Sequence, residues 1–263
     1  MKRFSIFSLA RNALTGHRNW EKMWRSPDPR REYDVVIIGG GGHGLGAAYF
    51  LAKEHGITNV AVLEKGWLGG GNTGRNTMTV RSNFLREDSV PFHEMSLDLY
   101  HQLSRDLNYN LMVSQRGMIT LIQSSAANRV ALQMANTMHI YGAEYRMLTL
   151  DEVKQKIPIF DPSPDMRLPV RGGVYQPRAS MVRHDAVAWG FARAADARGV
   201  DIIQNCEVTG IQQEGGAVTG VETNRGVIKA KKIGMAVAGH GSVVASMVGQ
   251  RLPIITQPLQ AWV

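Results

Sequence analysis

The 263-residue chain has one cysteine, few aromatics and no long apolar run. Each shortage excludes something. Cys206 alone cannot form a disulfide within the chain, and a Cys/His zinc knuckle has no ligand set, so no metal site is expected. A lone thiol suits a reducing compartment, and a cytoplasmic location is the expectation. No stretch approaches the ~18 apolar residues of a spanning helix, so no membrane contact is expected. Aromatics at 7% leave no interleaved aromatic-and-arginine surface for single-stranded nucleic acid. Hydrophobic residues at 44% and charged residues at 20% describe a folded domain rather than a disordered chain.

The net charge of +8 is unevenly placed. Residues 1–33 hold Lys2, Arg3, Arg11, Arg18, Lys22, Arg25, Arg30 and Arg31 against Glu21, Asp28 and Glu32, which is +5 of the total. The remaining 230 residues carry +3, so no nucleic-acid partner is expected. The opening Met1-Lys2-Arg3, then Phe4, Ile6, Phe7 and Leu9, resembles a charged-then-apolar leader. Arg11 interrupts it before a secretory core is complete, and no clean cleavage site follows. An extension that packs on the body or on a partner is favoured over export. Ser26-Pro27-Asp28-Pro29 marks its end, since paired prolines hold the chain extended.

What is present begins at Asp34-Val35-Val36-Ile37-Ile38, a continuous apolar run of the kind buried on both faces of a parallel sheet. It leads into Gly39-Gly40-Gly41-Gly42-His43-Gly44, and then into helical spacing from Leu45 to a stop at Gly56. A second buried strand, Asn59–Leu63, ends at Glu64. Gly39, Gly41 and Gly44 read as G-x-G-x-x-G: a tight turn, close approach to a pyrophosphate, and helix-on-strand packing. The helix N-terminus offers N–H groups to phosphate. Glu64, 20 residues after Gly44, suits ribose hydroxyls and disfavours a 2′-phosphate. A structural glycine loop is the competing reading; the flanking strands and the spaced acid favour a dinucleotide.

Residues 65–77, with five glycines and Asn72, Arg75 and Thr77, are long for a connection and could wrap a dinucleotide larger than NAD. Arg75 suits either a phosphate contact or bracing of the loop. Farther on, alternating residues around Val208, Val218, Val221 and Ile228 predict a small meander with turns at Glu214-Gly215-Gly216 and Asn224-Arg225-Gly226. A separate strand Gly234–Ala238 is expected to follow, then a glycine turn and a helix. A meander inserted before the parallel sheet resumes is the habit of two-dinucleotide-binding flavoproteins. In between, Met112–Gln123 predicts a strand broken at Gly117, Ala126–Tyr141 a helix, Thr149 to Glu152 a capping box, and Ala186–Arg198 an amphipathic helix. The thirteen methionines read as adaptable core filler.

The chain resembles the beta subunits of heterotetrameric sarcosine oxidases, within the glycine/D-amino-acid oxidase (DAO) flavoproteins. The resemblance rests on the basic extension, Tyr33–Gly44, Asn59–Asn83 with its Glu64-Lys65-Gly66-Trp67 core, Ser114–Gly117, Tyr175–Arg178, Arg183–Trp189 and Ile202–Gly210. It implies an α/β fold: a Rossmann-like FAD-binding domain of the two-dinucleotide-binding type, with an α+β substrate domain on a mixed sheet. Residues 1–33 would be the extension, 34–110 with 171–250 the FAD domain, and 111–170 with 251–263 a partial substrate domain. It implies oxidative demethylation of sarcosine to glycine, formaldehyde or a folate-bound carbon, and hydrogen peroxide. Alpha, gamma and delta subunits would be partners, tetrahydrofolate entering through one of them. Non-covalent FAD would lie on Gly39, Gly41, Gly42, His43, Gly44, Glu64, Asn72, Arg75, Thr77, Thr79 and the backbone of Val208. Thr79 stands where an apolar residue is expected, and Met78 is also unusual. A second flavin, FMN, would be bound covalently through His184, which on spacing alone is merely a histidine at a helix start. The resemblance further implies that relatives continue past Val263, that Gln257, Pro258 and Gln260 lead into the sheet roofing the substrate, and that catalytic groups, including a lysine near the flavin ring, lie beyond. The 263 residues alone are then expected to be inactive. A related FAD-dependent oxidase or dehydrogenase for another N-methyl or D-amino acid, and a non-catalytic flavin-binding fragment, are the competing readings.

Overall fold

A computed structural model describes residues 5–16, 18, 24–84 and 86–260. The centre is a six-stranded mixed sheet. Strand β1 (Glu32–Ile38) lies between β2 (Val60–Leu63) and β12 (Gly226–Met235), parallel to both, and β9 (Asp201–Ile203) extends the parallel set beyond β2. On the other edge β12 turns antiparallel to β11 (Ala217–Thr223), which pairs with β10 (Val208–Glu214).

The alternation along β1 divides the core. Val35 and Ile37 face helices α2 (Gly42–His55) and α6 (His184–Asp196), meeting Leu45, Tyr49 and Phe191. Val36 and Ile38 face the opposite side, with Leu63, Val221, Ile228 and Val244 of the short helix α7 (Gly241–Ser246). Strands buried on both faces need the continuous apolar sequence seen at residues 35–38. Helix α2 ends in a left-handed Gly56 (φ 65°), a backbone state glycine adopts without a Cβ clash. The β10–β11 turn places Gly215 and Gly216 at φ 58° and 82°, the two positive values of a type I′ hairpin.

Two small sheets stand beside this body. One joins β3 (Thr79–Val80), β8 (Ser180–Met181) and β4 (Ser114–Gln115). The other places β7 (Gly172–Gln176) between β5 (Met118–Ile122) and β6 (Arg146–Leu148), with helices α4 (Ser125–Ile140) and α5 (Leu150–Lys156). Residues 172–176, grouped on sequence with 171–250, therefore hydrogen-bond to strands drawn from 111–170. Helix α5 has the expected capping box, Thr149 and Glu152 each bonding the other's backbone N–H. Helix α3 (Val90–Asp106) covers the junction, its Leu103 in the main core and its Val90 in a separate small cluster.

Some expectations are corrected. The separate strand Gly234–Ala238 does not form; β12 runs unbroken over Gly226–Met235, antiparallel to β11 in its first half and parallel to β1 in its second. Ala236 donates a last N–H to the Ile38 carbonyl (2.8 Å), and the chain then turns in a 3₁₀ helix, Ala238–His240. Helix α6 begins at His184, two residues earlier than the spacing predicts. Residues 251–260 form no strand, and Leu259 is 96% exposed; Ala261, Trp262 and Val263, which complete the expected apolar run, lie outside the described residues.

Helix α1 (Ile6–Leu14), capped by the Ser5 hydroxyl, buries none of its residues. Residues 24–31 do pack on the body. Arg25 reaches Asp196 and the Val200 carbonyl, and Arg30 pairs with Asp201 at 2.7 Å. Tyr33 donates to the same Asp201 carboxylate, and burial raises its phenol above the ordinary range. Lys2, Arg3, Glu21 and Lys22 of the basic extension lie outside the described residues. Among the described residues no helix is long and apolar enough to cross a membrane.

Candidate active site

The G-x-G-x-x-G segment crosses the C-terminal ends of the parallel strands, where open α/β sheets bind ligands. Gly39 has φ 110°, and a Cβ there would lie 2.4 Å from the Ala236 carbonyl oxygen. A Cβ on Gly44 would lie 2.0 Å from the carbonyl oxygen of Gly39. Strand β1 and helix α2 thus meet backbone to backbone. Gly41 is different: its nearest neighbour is the Thr73 hydroxyl at 3.0 Å, so the protein alone does not demand glycine as strongly there. A ligand approaching the backbone would. Gly41 is the N-cap of α2 and brings no capping side chain. Gly42 donates its N–H to the Thr73 hydroxyl (2.9 Å), and His43 is exposed in the first turn. The remaining first-turn N–H groups and the helix dipole form an anion site.

Glu64 follows β2 with its carboxylate fixed from two sides. One oxygen accepts the Gly40 N–H at 2.8 Å and the other the Gly66 N–H at 2.9 Å. Each oxygen keeps a further lone pair, so a ribose diol can still be received. The Glu64 carbonyl accepts the Cys206 N–H, and Arg225 binds the carbonyls of Gln204 and Asn205, which brings the start of β10, with Val208, beside this end. Burial pushes the Cys206 thiol up, away from a reactive thiolate.

The long glycine loop folds back over the nucleotide loop. Gly69 donates to the Gly40 carbonyl at 3.0 Å, and Leu68 to the Gln204 side chain at 2.9 Å. Asn72 and Arg75 lie exposed on a 3₁₀ turn, with Thr73 between them facing Gly42. Thr73 carries no sequence signal beyond its place in a polar glycine loop. Met78 is left-handed at φ 61°, its N–H bound by Asn76, and this turn delivers Thr77 and Thr79 away from the glycine cradle.

Thr77 and Thr79 instead line a cavity of about 600 Å³ between β5, β7 and α4. Its walls are mostly apolar, including Met118, Leu121, Ile122, Val130 and Met134. Arg81 is the one charged residue among those lining it. Its guanidinium donates to the Asn83 side chain (2.7 Å) and carbonyl (3.1 Å), and stacks on Phe84 at 4.6 Å. Tyr145 closes one wall, its hydroxyl bonded to Met134 sulfur, and burial pushes its phenol up to about 12. Phe84 in turn stacks on His93 at 4.0 Å; burial, and then Arg81, lower the His93 imidazole below its ordinary value.

His184 opens helix α6 and does not line the cavity. It is half-buried, and its Nδ1 is enclosed without a hydrogen-bond partner. The neighbours Arg183 and Asp185 pair with each other at 2.7 Å, and that contact holds Asp185 below the usual carboxylate range. Among the described residues no cluster of His, Cys, Asp and Glu could hold a metal ion.

The profile of the family described as FAD dependent oxidoreductase, abbreviated DAO, matches residues 34–263. Sarcosine oxidase subunit beta of Rhizobium meliloti is 52% identical over 261 residues, which is 99% of this chain and 62% of the relative. The subunit of the same name from Rhodobacter capsulatus is 51% identical over 263 residues, 100% of this chain and 63% of the relative. The chain therefore spans less than two thirds of either. Among solved structures, L-proline dehydrogenase from P. horikoshii superposes with a TM-score of 0.77 at 26% identity, over 84% of this chain and 57% of that one.

Proposed function

The chain belongs to the FAD dependent oxidoreductase family, and on that premise we propose that it acts as a beta subunit of a sarcosine oxidase. The observation that carries the cofactor is the glycine cradle closed against Glu64: Gly39 and Gly44 have no room for a Cβ, and Glu64 is held by two N–H donors. Gly41, Gly42, His43 and the α2 dipole would hold the pyrophosphate, Glu64 the ribose, and Val208 the adenine through its backbone. Asn72, Arg75 and Thr73 would cover the phosphates, with Thr77 and Thr79 at the isoalloxazine end. Bound FAD would supply the acceptor for the hydride, with its two electrons, lost by the substrate N-methyl group.

The chain's own side chains receive the amine acid. Arg81 offers its remaining N–H donors to the substrate carboxylate, and the apolar wall excludes water from the methyl group. In the balanced reaction the N-methyl carbon is oxidised to an imine, water releases glycine and formaldehyde, and oxygen leaves as hydrogen peroxide. A folate in a partner subunit could take the one-carbon unit instead. His184 would carry a covalent FMN; its half-buried ring stands at a rigid helix start, which limits the directions from which a flavin could reach it. Alpha, gamma and delta subunits are the proposed partners, and the cytoplasm the proposed compartment.

The test is anaerobic addition of sarcosine to the FAD-loaded protein, extended to the full length of its sarcosine oxidase relatives and assembled with an alpha subunit. Bleaching of the flavin absorbance and release of formaldehyde are expected. Retained FAD without bleaching would overturn the substrate assignment. A larger N-methyl or D-amino acid is the second reading, and a substrate panel in the same assay decides between them.

A further inference from the structure

Five polar residues are fully buried among the described ones, and three of them, Ser82, Asn83 and Gln176, flank Arg81. Burying a polar side chain is unfavourable unless its hydrogen bonds are met, so their concentration at one place calls for a cause. Gln176, at the end of β7, grips Ser82 at two points. Its side-chain oxygen accepts the Ser82 N–H at 3.3 Å, and its amide nitrogen donates to the Ser82 hydroxyl. That hydroxyl donates onward to one oxygen of Glu94 on α3. The other Glu94 oxygen accepts from Arg178, which also binds Asp98 one helical turn further along. Two separate elements, β7 and α3, thereby close on Ser82 in the segment after β3, Gln176 on its backbone N–H and hydroxyl and Glu94 on the hydroxyl. Neither Gln176, Ser82 nor Glu94 lines the cavity.

We propose that Gln176 and Ser82 are positioning residues for Arg81, setting the guanidinium at the angle from which it receives the carboxylate of the substrate. The inference rests on the reading of the cavity as the seat of an amino-acid carboxylate. Asn83 holds one end of the guanidinium and Phe84 its face, but both sit on the same short segment as Arg81. Phe84 is braced from outside by the His93 ring of α3, and Gln176 adds an anchor on the backbone itself, reaching across from the sheet to the Ser82 N–H. The chain Arg178–Glu94–Ser82 fixes it from the other side.

The experiment is calorimetric titration of the full chain with methoxyacetate, a small ether carboxylate, and with its neutral amide, methoxyacetamide. Arg81→Met should weaken the carboxylate by ~100-fold and leave the amide nearly unchanged. Gln176→Leu and Ser82→Ala should each weaken the carboxylate by ~10-fold, again sparing the amide. A purely structural role predicts equal loss for both probes, or none, and either result overturns the inference. Ser82→Ala removes only an oxygen and serves if Gln176→Leu does not fold. If Arg81→Met binds the carboxylate as the wild type does, or the wild type binds none, the parent reading of the cavity falls. If Arg81→Met loses affinity while Gln176→Leu and Ser82→Ala keep it, only the positioning role falls.

Discussion

Replacing Gly44 by alanine tests the claim that helix α2 and strand β1 meet backbone to backbone. The added Cβ would sit 2.0 Å from the Gly39 carbonyl oxygen, 1.4 Å short of the 3.4 Å at which ordinary contact begins. The obstructing atom is backbone, so no side chain can rotate away. Overpacking of this kind costs about 3 kcal/mol, and alanine's better helix propensity returns up to about 1 kcal/mol, for a net loss of about 2 kcal/mol. Gly46 lies two residues further along the same helix and provides the control. Its Cβ would meet the Phe191 ring at 3.6 Å, an ordinary contact, so Gly46→Ala should be neutral or stabilise by up to about 1 kcal/mol. The two variants should also separate in cofactor binding. To relieve the clash in Gly44→Ala, the start of α2 must withdraw by more than an ångström. The first-turn N–H groups move with it, and FAD affinity should fall by ~10- to 100-fold for each charge-assisted bond lost. Urea unfolding of the cofactor-free protein reads the first effect, and flavin fluorescence quenching reads the second. Equal stability and equal FAD affinity in Gly44→Ala and Gly46→Ala would refute the backbone-contact argument.

Glu64→Gln should weaken FAD by ~10-fold or more, because the amide opposes one of the Gly40 and Gly66 N–H donors; flavin retention on gel filtration checks it. Tyr145 has its pKa raised from 10.0 to about 12 by burial, so the folded state holds the proton more tightly than the unfolded chain. Its contribution is complete below pH 10 and is lost as the pH rises to about 12; chemical denaturation across that range should show a shallower loss in Tyr145→Phe than in the wild type. Met78 is left-handed at φ 61°, a state that costs a non-glycine residue ~1 kcal/mol. Met78→Asn should therefore raise the thermal midpoint, and an unchanged or lower midpoint would argue against strain there. His184→Ala, assembled with its partners, should lose any flavin fluorescence that survives acid denaturation; persistence of that signal would rule out His184 as the attachment point.

The nucleotide half of the molecule is legible in the sequence because its constraints are local. A buried strand, three glycines and a carboxylate follow one another within 31 residues, and each has one physical reason to be there. Gly215-Gly216 announces its hairpin in the same way, since type I′ geometry needs two positive φ values. The continuous β12 strand is not legible. Lys229, Lys231 and Lys232 break the apolar pattern, yet the strand persists by exchanging its antiparallel partner for a parallel one near Lys229. A polar residue within a strand is tolerated where one face is open, and no single-strand pattern reveals that the partner changes.

The cavity is harder still, for a reason that bears on how its chemistry is built. Arg81, Tyr145 and the positioning residue Gln176 lie in three separate stretches of the chain, spread over 96 positions of sequence. No spacing connects them, because the turn at Met78 and the pairing of β7 with β5 and β6 are what bring them together. A dinucleotide held by backbone N–H groups needs a continuous cradle, because only adjacent residues can present such groups in one arc. A small carboxylate needs one guanidinium at one angle, which can be fixed from anywhere the fold supplies an anchor. The recognisable half of the site is therefore the half that uses backbone. The half that uses a single side chain depends on packing, and substitutions at Gln176 or Ser82, outside the cavity wall, should alter carboxylate affinity while leaving FAD in place.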